Sequence, residues 1–225
     1  MKRFLFLALV IVALILPTAV FANSFTELNF GLGTSQFPNG QVSISVNGGP
    51  DIVIPYKPLG TSSFDFLLGA TWYWSLNDTH SIWLGAGFTF SIPVTSSQNL
   101  QNTNFFTAPI ILSADLPLIF DVNSFLSIVI KPSIFGVLLR DEAPIDVADF
   151  DSVTFAGFGA GLGVGPTFYF DDHQNIGIST LVGYRFFHSV DSTTAFGFLP
   201  VDLTYNNSGW YATVGMTILL GSSKN

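Results

Sequence analysis

From Phe64 onward the chain alternates with a period of two. Even positions read Phe64, Phe66, Leu68, Ala70, Trp72, Trp74 and Leu76, and the odd positions between them read Asp65, Leu67, Gly69, Thr71, Tyr73 and Ser75. Successive side chains of a strand point to opposite faces, so this pattern predicts a strand with one apolar face and one small or polar face. The alternation returns at 82–92, with Ile82, Leu84, Ala86, Phe88, Phe90 and Ile92 on the apolar side. It recurs at 106–116, 156–170, 176–186 and 210–220, and more weakly at 26–36 and at 126–138, where Pro132 interrupts it. About eight strands of 11 to 15 residues follow from this reading. They exceed the roughly five or six residues common in soluble sheets and are long enough to cross a bilayer when tilted. The uncharged stretch 153–170 approaches the length of a membrane helix, but Gly157, Gly159, Gly161, Gly163 and Gly165 fall at every second residue. Each would cost about 1 kcal/mol in a helix interior, so a strand is expected there too.

Charge decides which face meets what. Glu27, Asp65, Asp115, Lys131 and Arg185, the charged residues inside these strands, all lie on the glycine, serine and threonine face. A slip of one residue would carry every one of them into lipid, so the apolar face is expected to point outward. A soluble lipocalin-like barrel would reverse this arrangement. Its interior would struggle to hold the large even-numbered side chains. Phe64, Phe66, Phe88, Phe90, Phe106, Tyr184, Phe186 and Trp210 are expected near one rim and Trp72, Trp74, Phe168 and Phe170 near the other, as two aromatic girdles at the edges of a membrane. Membrane lipid is therefore the expected partner.

Composition agrees. Only 10% of the 225 residues are charged and 48% are hydrophobic. Soluble domains carry roughly 25% charged residues, and disordered chains combine low hydrophobicity with high charge, so an ordinary soluble enzyme and a disordered chain are both excluded. Residues 1–22 read as a secretory signal: Lys2 and Arg3, an apolar run from Phe4 to Leu16, Pro17, and Val20-Phe21-Ala22 before the expected cleavage. Residues 23–225 then form one domain. Beyond residue 22 only five basic residues oppose fifteen acidic ones, which excludes nucleic acid as a partner. The chain has no cysteine, which suits an oxidising compartment and excludes a lipid anchor on an N-terminal cysteine.

The connections alternate in length: long at 37–63, 93–104, 140–153 and 189–208, short at 77–80, 117–124 and 171–174. Outer-membrane barrels have short periplasmic turns and long external loops, which places both termini in the periplasm. Asn77-Asp78 and Asp171-Asp172 suit tight reversals. The first long connection holds Gln41 to Val46, then Asn47-Gly48-Gly49-Pro50, then Asp51 to Tyr56, an expected external hairpin. Were its arms to join the wall, the count would be ten.

With this patterning the chain resembles the small eight-stranded outer-membrane barrels of the OmpA/OmpX type, in the broad porin-family group. Thr107-Ala108-Pro109-Ile110-Ile111-Leu112, Lys131-Pro132-Ser133 and the Gly157 to Gly165 run resemble that group's fourth, fifth and sixth strands. The resemblance implies an all-β, up-and-down antiparallel barrel in the bacterial outer membrane, inserted by the barrel-assembly machinery, monomeric and without a cofactor. One departure is that such barrels usually end on an aromatic residue, whereas this chain ends with Leu220 and then Gly-Ser-Ser-Lys-Asn.

An eight-stranded interior is about wide enough for its own side chains. Tyr73, Trp83, Phe135, Phe155, Tyr169, Phe187 and Tyr211 share the inner face with glycines, which predicts packing of large against small. The glycine run then accepts aromatic neighbours, or alternatively leaves a groove for an apolar ligand or a folded-in loop. Two internal ion-pair clusters are expected, Asp65 with Arg185 and Glu27/Asp115 with Lys131, because an unpaired charge in so narrow a space is costly. Catalysis is not expected. His80 and His173 fall in short turns, and the side chains of His188 and Ser189 point to opposite faces although Asp191 is near in sequence. Asp141, Glu142, Asp146, Asp149 and Asp151 lack the spacing of a calcium loop, so a solvated acidic loop is expected and no metal. The expected role is structural or surface-interacting in the cell envelope, with external loops meeting a ligand or a host surface. The alternatives are a narrow channel or carrier for small hydrophobic molecules and, third, a lipid-modifying enzyme at the rim.

Overall fold

A computed structural model of the chain describes residues 24–36, 40–46, 48–56, 62–96, 98–100, 103–105, 110–141, 153–170, 175–189, 192–196 and 199–221. The expected signal peptide, Phe106, Asp171-Asp172, His173, Asp191 and the acidic residues from Glu142 to Asp151 lie outside these described residues.

The described chain contains fourteen strands: β1 (Ser24–Gln36), β2 (Gly40–Val46), β3 (Ile52–Tyr56), β4 (Ser62–Ser75), β5 (Ile82–Ser96), β6 (Gln98–Leu100), β7 (Thr103–Phe105), β8 (Ile110–Asp115), β9 (Leu118–Asn123), β10 (Leu126–Asp141), β11 (Val153–Tyr169), β12 (Ile176–Ser189), β13 (Ser192–Phe196) and β14 (Leu199–Gly221). The wall is antiparallel and runs β1, β4, β5, then β8 with β9, then β10, β11, β12 and β14. It closes where β14 pairs with β1, from Phe25 opposite Gly221 to Gln36 opposite Trp210. Closure gives eight positions and leaves no wall strand with a free edge.

The hairpin in the first long connection is present and stays outside the ring. Gly49 N donates to Val46 O at 3.0 Å across its turn, and Gly48 takes a positive φ of 68°, which glycine adopts at little cost. β2 pairs with residues 201–206 of β14, β3 pairs with β2, and β13 pairs with residues 199–203 of β14. The expected loop 189–208 is therefore largely strand, and β14 continues past the ring as the spine of a small sheet at the long-loop end.

The fourth wall strand corrects the sequence-based bounds. Residues 117–124 read as a short turn, yet the wall continues from β8 through β9 to Asn123 and turns only at Ser124-Phe125. Pro117 lacks an N–H, but its carbonyl still accepts Gly85 N at 2.7 Å, and Leu116 N donates to Pro132 O at 3.0 Å. The strand therefore continues through a proline that only removes one donor. Pro132 does not break β10 either, and pairs with Leu162 of β11. Two of the short turns are held by asparagine side chains. Asn77 Oδ1 accepts Ser81 N and Ile82 N at 3.0 and 3.1 Å, and Asn123 Oδ1 accepts Phe125 N at 2.9 Å.

Parity holds along the described wall. Ile134 is 67% exposed and its neighbour Phe135 is 6%; Phe186 is 62% exposed and Phe187 is 7%. Odd-numbered residues face the lumen and even-numbered residues face outward, up to the register shifts at Phe64/Asp65 and Leu126/Ser127, beyond which odd and even residues become partners.

Candidate functional site

The lumen has a floor at the short-turn end. Phe25 stacks on Tyr73 with ring centroids 4.8 Å apart and meets Trp83 edge-on at 4.9 Å, and Ile119 and Val129 complete a buried cluster. Leu181 and Leu219 pack against it. Trp83 keeps its polar atom satisfied, because Nε1 donates to Asp121 Oδ2 at 2.8 Å, and Ser127 donates to the other oxygen of the same carboxylate. Sequence reasoning missed Asp121, having assigned it to a turn. Its odd number, continuing the inward series Ile111, Ser113, Asp115, Pro117 and Ile119, was the signal that could have found it.

A polar layer fills the middle. Lys131 Nζ lies 2.7 Å from Asp115 Oδ2, whose side chain is fully buried. Thr89 donates to the same oxygen at 2.5 Å, and Lys131 Nζ donates to Thr89 Oγ1 at 2.8 Å. Glu27 accepts from Asn29, whose own oxygen accepts Thr217 Oγ1 at 3.2 Å. Arg185 lies over Tyr211, its Cζ 3.9 Å from the ring centroid, with the Phe135 ring at 5.9 Å. Glu27, Asp115, Lys131 and Arg185 line one small cavity of about 70 Å³, with Asp65 outside that lining. Of the expected pairs, Lys131 with Asp115 is in contact, and Arg185 borders the same lumenal space. Strand tilt winds each hydrogen-bonded row around the barrel, so height along a strand does not give angular position.

The glycine run faces this layer. A Cβ at Gly159 would sit 2.4 Å from the Phe135 ring and one at Gly163 would sit 2.3 Å from Tyr211 Oη, while Gly161 faces Arg185 and Ser133. The space that these residues leave is thus taken by their neighbours. Gly165 has another reason, since its Cβ would lie 1.9 Å from Thr180 O on the adjacent strand. Gly157 is half-buried opposite Val137 and Ser189.

The outward aromatics fall where parity places them. Trp74, Phe168 and Phe170 are exposed near the short turns, with Trp72 half-buried beside them, and Phe64, Phe66, Tyr184, Phe186 and Trp210 lie towards the other end. Tyr184 meets Phe186 and Trp210 at 5.0 and 5.1 Å. Phe88 and Phe90 pair with Ala70 and Leu68, below the level of Phe64 and Phe66, and Phe88 lies 6.2 Å from Trp72. These two therefore sit partway down the wall.

Across the upper outer wall runs an apolar trough of about 1290 Å³. Phe88, Ala114, Ile134, Ala160, Phe186 and Ser208 are successive register partners along it, alternating large and small. The next row is Leu112, Gly136, Phe158 and His188. His188 faces outward with its ring 5.7 Å from Phe158. Among the described residues no group of three or more His, Cys, Asp or Glu side chains could hold a metal ion.

A closed eight-stranded ring with charges of its wall inside and its large apolar side chains outside is the architecture of a small membrane-spanning β-barrel. Comparison with solved structures returns distant similarities. The chain is similar to the outer membrane protein OprG from Pseudomonas aeruginosa, at 14% identity over 89% of this chain and 97% of that one, with a TM-score of 0.49. It is also similar to Neisserial surface protein A, at 10% identity over 88% and 97% with a TM-score of 0.40. A third is Ail, the attachment invasion locus protein of Yersinia pestis, at 11% identity over 84% and 99% with a TM-score of 0.37. No protein-family model and no curated protein matches the chain.

Proposed function

We propose that the protein is a closed, non-catalytic barrel of the bacterial outer membrane, serving the envelope as a structural element and presenting a surface for contact outside the cell. The observation that carries this reading is the floor of Phe25, Tyr73, Trp83, Ile119 and Val129 beneath a charged layer that leaves only about 70 Å³ of space. A water-filled porin needs a continuous polar lumen, and this barrel has an apolar stop at one end. The short turns lie at the floor and the paired extension of β14, β2, β3 and β13 lies at the opposite end, which supports periplasmic termini and an external sheet. That extension exposes Val46, Ile52 and Val53 beyond the ring, apolar side chains available to a partner.

Planar-bilayer recording of the purified full-length barrel tests the proposal. It should show no stable unitary conductance at moderate voltage. Steady, reproducible steps from the wild type would overturn the closed-lumen reading.

A further inference from the structure

The trough on the outer wall serves neither the lumen nor the floor. Three small residues, Ala114, Gly136 and Ala160, lie on three adjacent strands in its lining. Gly136 faces outward between Ile134 and Leu138, and a Cβ built there would meet no atom closer than Gly157 O at 4.0 Å. Glycine in a strand forfeits packing and conformational restriction, so its presence on an outer face marks a place where something else approaches the backbone. Ala114 and Ala160 widen the same depression in the adjacent strands, between the ridges of Leu112, Ile134 and Phe158. The depression is open to the outside rather than enclosed. That shape suits a long flexible chain.

We infer that this trough seats the acyl chains of a membrane phospholipid, held with its headgroup towards the long-loop rim. The trough is continuous with the lipid-facing wall, so its occupant comes from the bilayer. Its outward-facing side chains are hydrocarbon except at one edge, where His188 and Ser208 lie and where the Tyr184 hydroxyl donates to Ser208 Oγ at 2.9 Å. Polar groups at one edge and hydrocarbon elsewhere match an amphiphile in one orientation. Binding here comes from shape: lipid tails are as apolar as leucine, so the gain over bulk lipid is van der Waals contact in a fitted surface. The inference rests on the membrane reading above but not on the closed lumen, so conductance and lipid retention fail independently.

Native mass spectrometry of the full-length barrel, released from nanodiscs of dimyristoyl phosphatidylglycerol, tests it. The wild type should retain lipid through increasing collisional activation. Gly136→Phe fills the depression without meeting protein atoms at its Cβ, and Ala160→Phe fills it from the next strand. Each should weaken retention roughly tenfold, the equivalent of about ten lost carbon–carbon contacts. Val182→Phe, on the same outer face away from the trough, should retain lipid like the wild type. Circular dichroism confirms that each variant is folded. Equal retention by wild type and both trough variants would overturn the proposal, as would a wild-type dimer that either variant dissociates, because the trough would then seat a second copy.

Discussion

Replacing Lys131 by alanine should destabilise the barrel by about 3–5 kcal/mol, the cost of leaving a buried carboxylate without its counter-charge. The Asp115 side chain has no exposed surface, and its Oδ2 receives both Lys131 and Thr89. Its Oδ1 is buried with no hydrogen-bond partner among the described residues. Arg185 borders the same lumenal cavity and supplies a second positive charge, which favours the lower half of that range. The second substitution Asp115→Asn should recover most of it, since the amide carries no charge to compensate. Urea unfolding in detergent micelles or bilayers measures both. A single-variant loss below about 1 kcal/mol, with no recovery in the double variant, would show that the layer does not depend on this pair.

The floor should be as sensitive. Trp83→Ala should cost about 3–5 kcal/mol, as truncation of a buried aromatic in a packed core does. It removes the edge contact with Phe25, the stack with His80 and the donor to Asp121. Trp74→Ala provides the comparison, because Trp74 lies outward and 37% exposed, where lipid replaces the lost contacts. It should cost well under half as much. Equal losses at the two positions would mean that the floor is not a packed core.

Most of the wall was legible in the sequence, for a physical reason. A barrel of eight strands separates two environments, hydrocarbon and a cramped polar lumen, so each strand must alternate. Charges such as Asp65, Lys131 and Arg185 cannot stray to the other face. The fourth strand was misjudged because Pro117 reads as a stop, whereas a wall strand tolerates the loss of one donor while its carbonyl stays paired. That error also hid Asp121. That Glu27, Asp115, Lys131 and Arg185 border one lumenal space could not be read from the chain, because it depends on how rows wind around the barrel. The trough was hidden for the same reason. Phe88, Ala114, Ile134, Ala160, Phe186 and Ser208 alternate in size across strands, and only register places them in line. The extension of β14 with β2 depends on a pairing between residues about 160 apart in sequence, which local patterning does not specify.

The central claim is that the even-numbered face meets lipid and the odd-numbered face is enclosed. The absence of native cysteine makes it directly testable by single-cysteine spin labelling. Nitroxides placed one at a time from Ile178 to Phe187 in bilayer-reconstituted barrel should show collisions with dissolved oxygen that peak at 178, 180, 182, 184 and 186 and fall at each residue between. A water-soluble nickel complex should reach none of the even positions near mid-wall. Oxygen maxima at the odd positions, or oxygen accessibility without a two-residue period, would contradict the account.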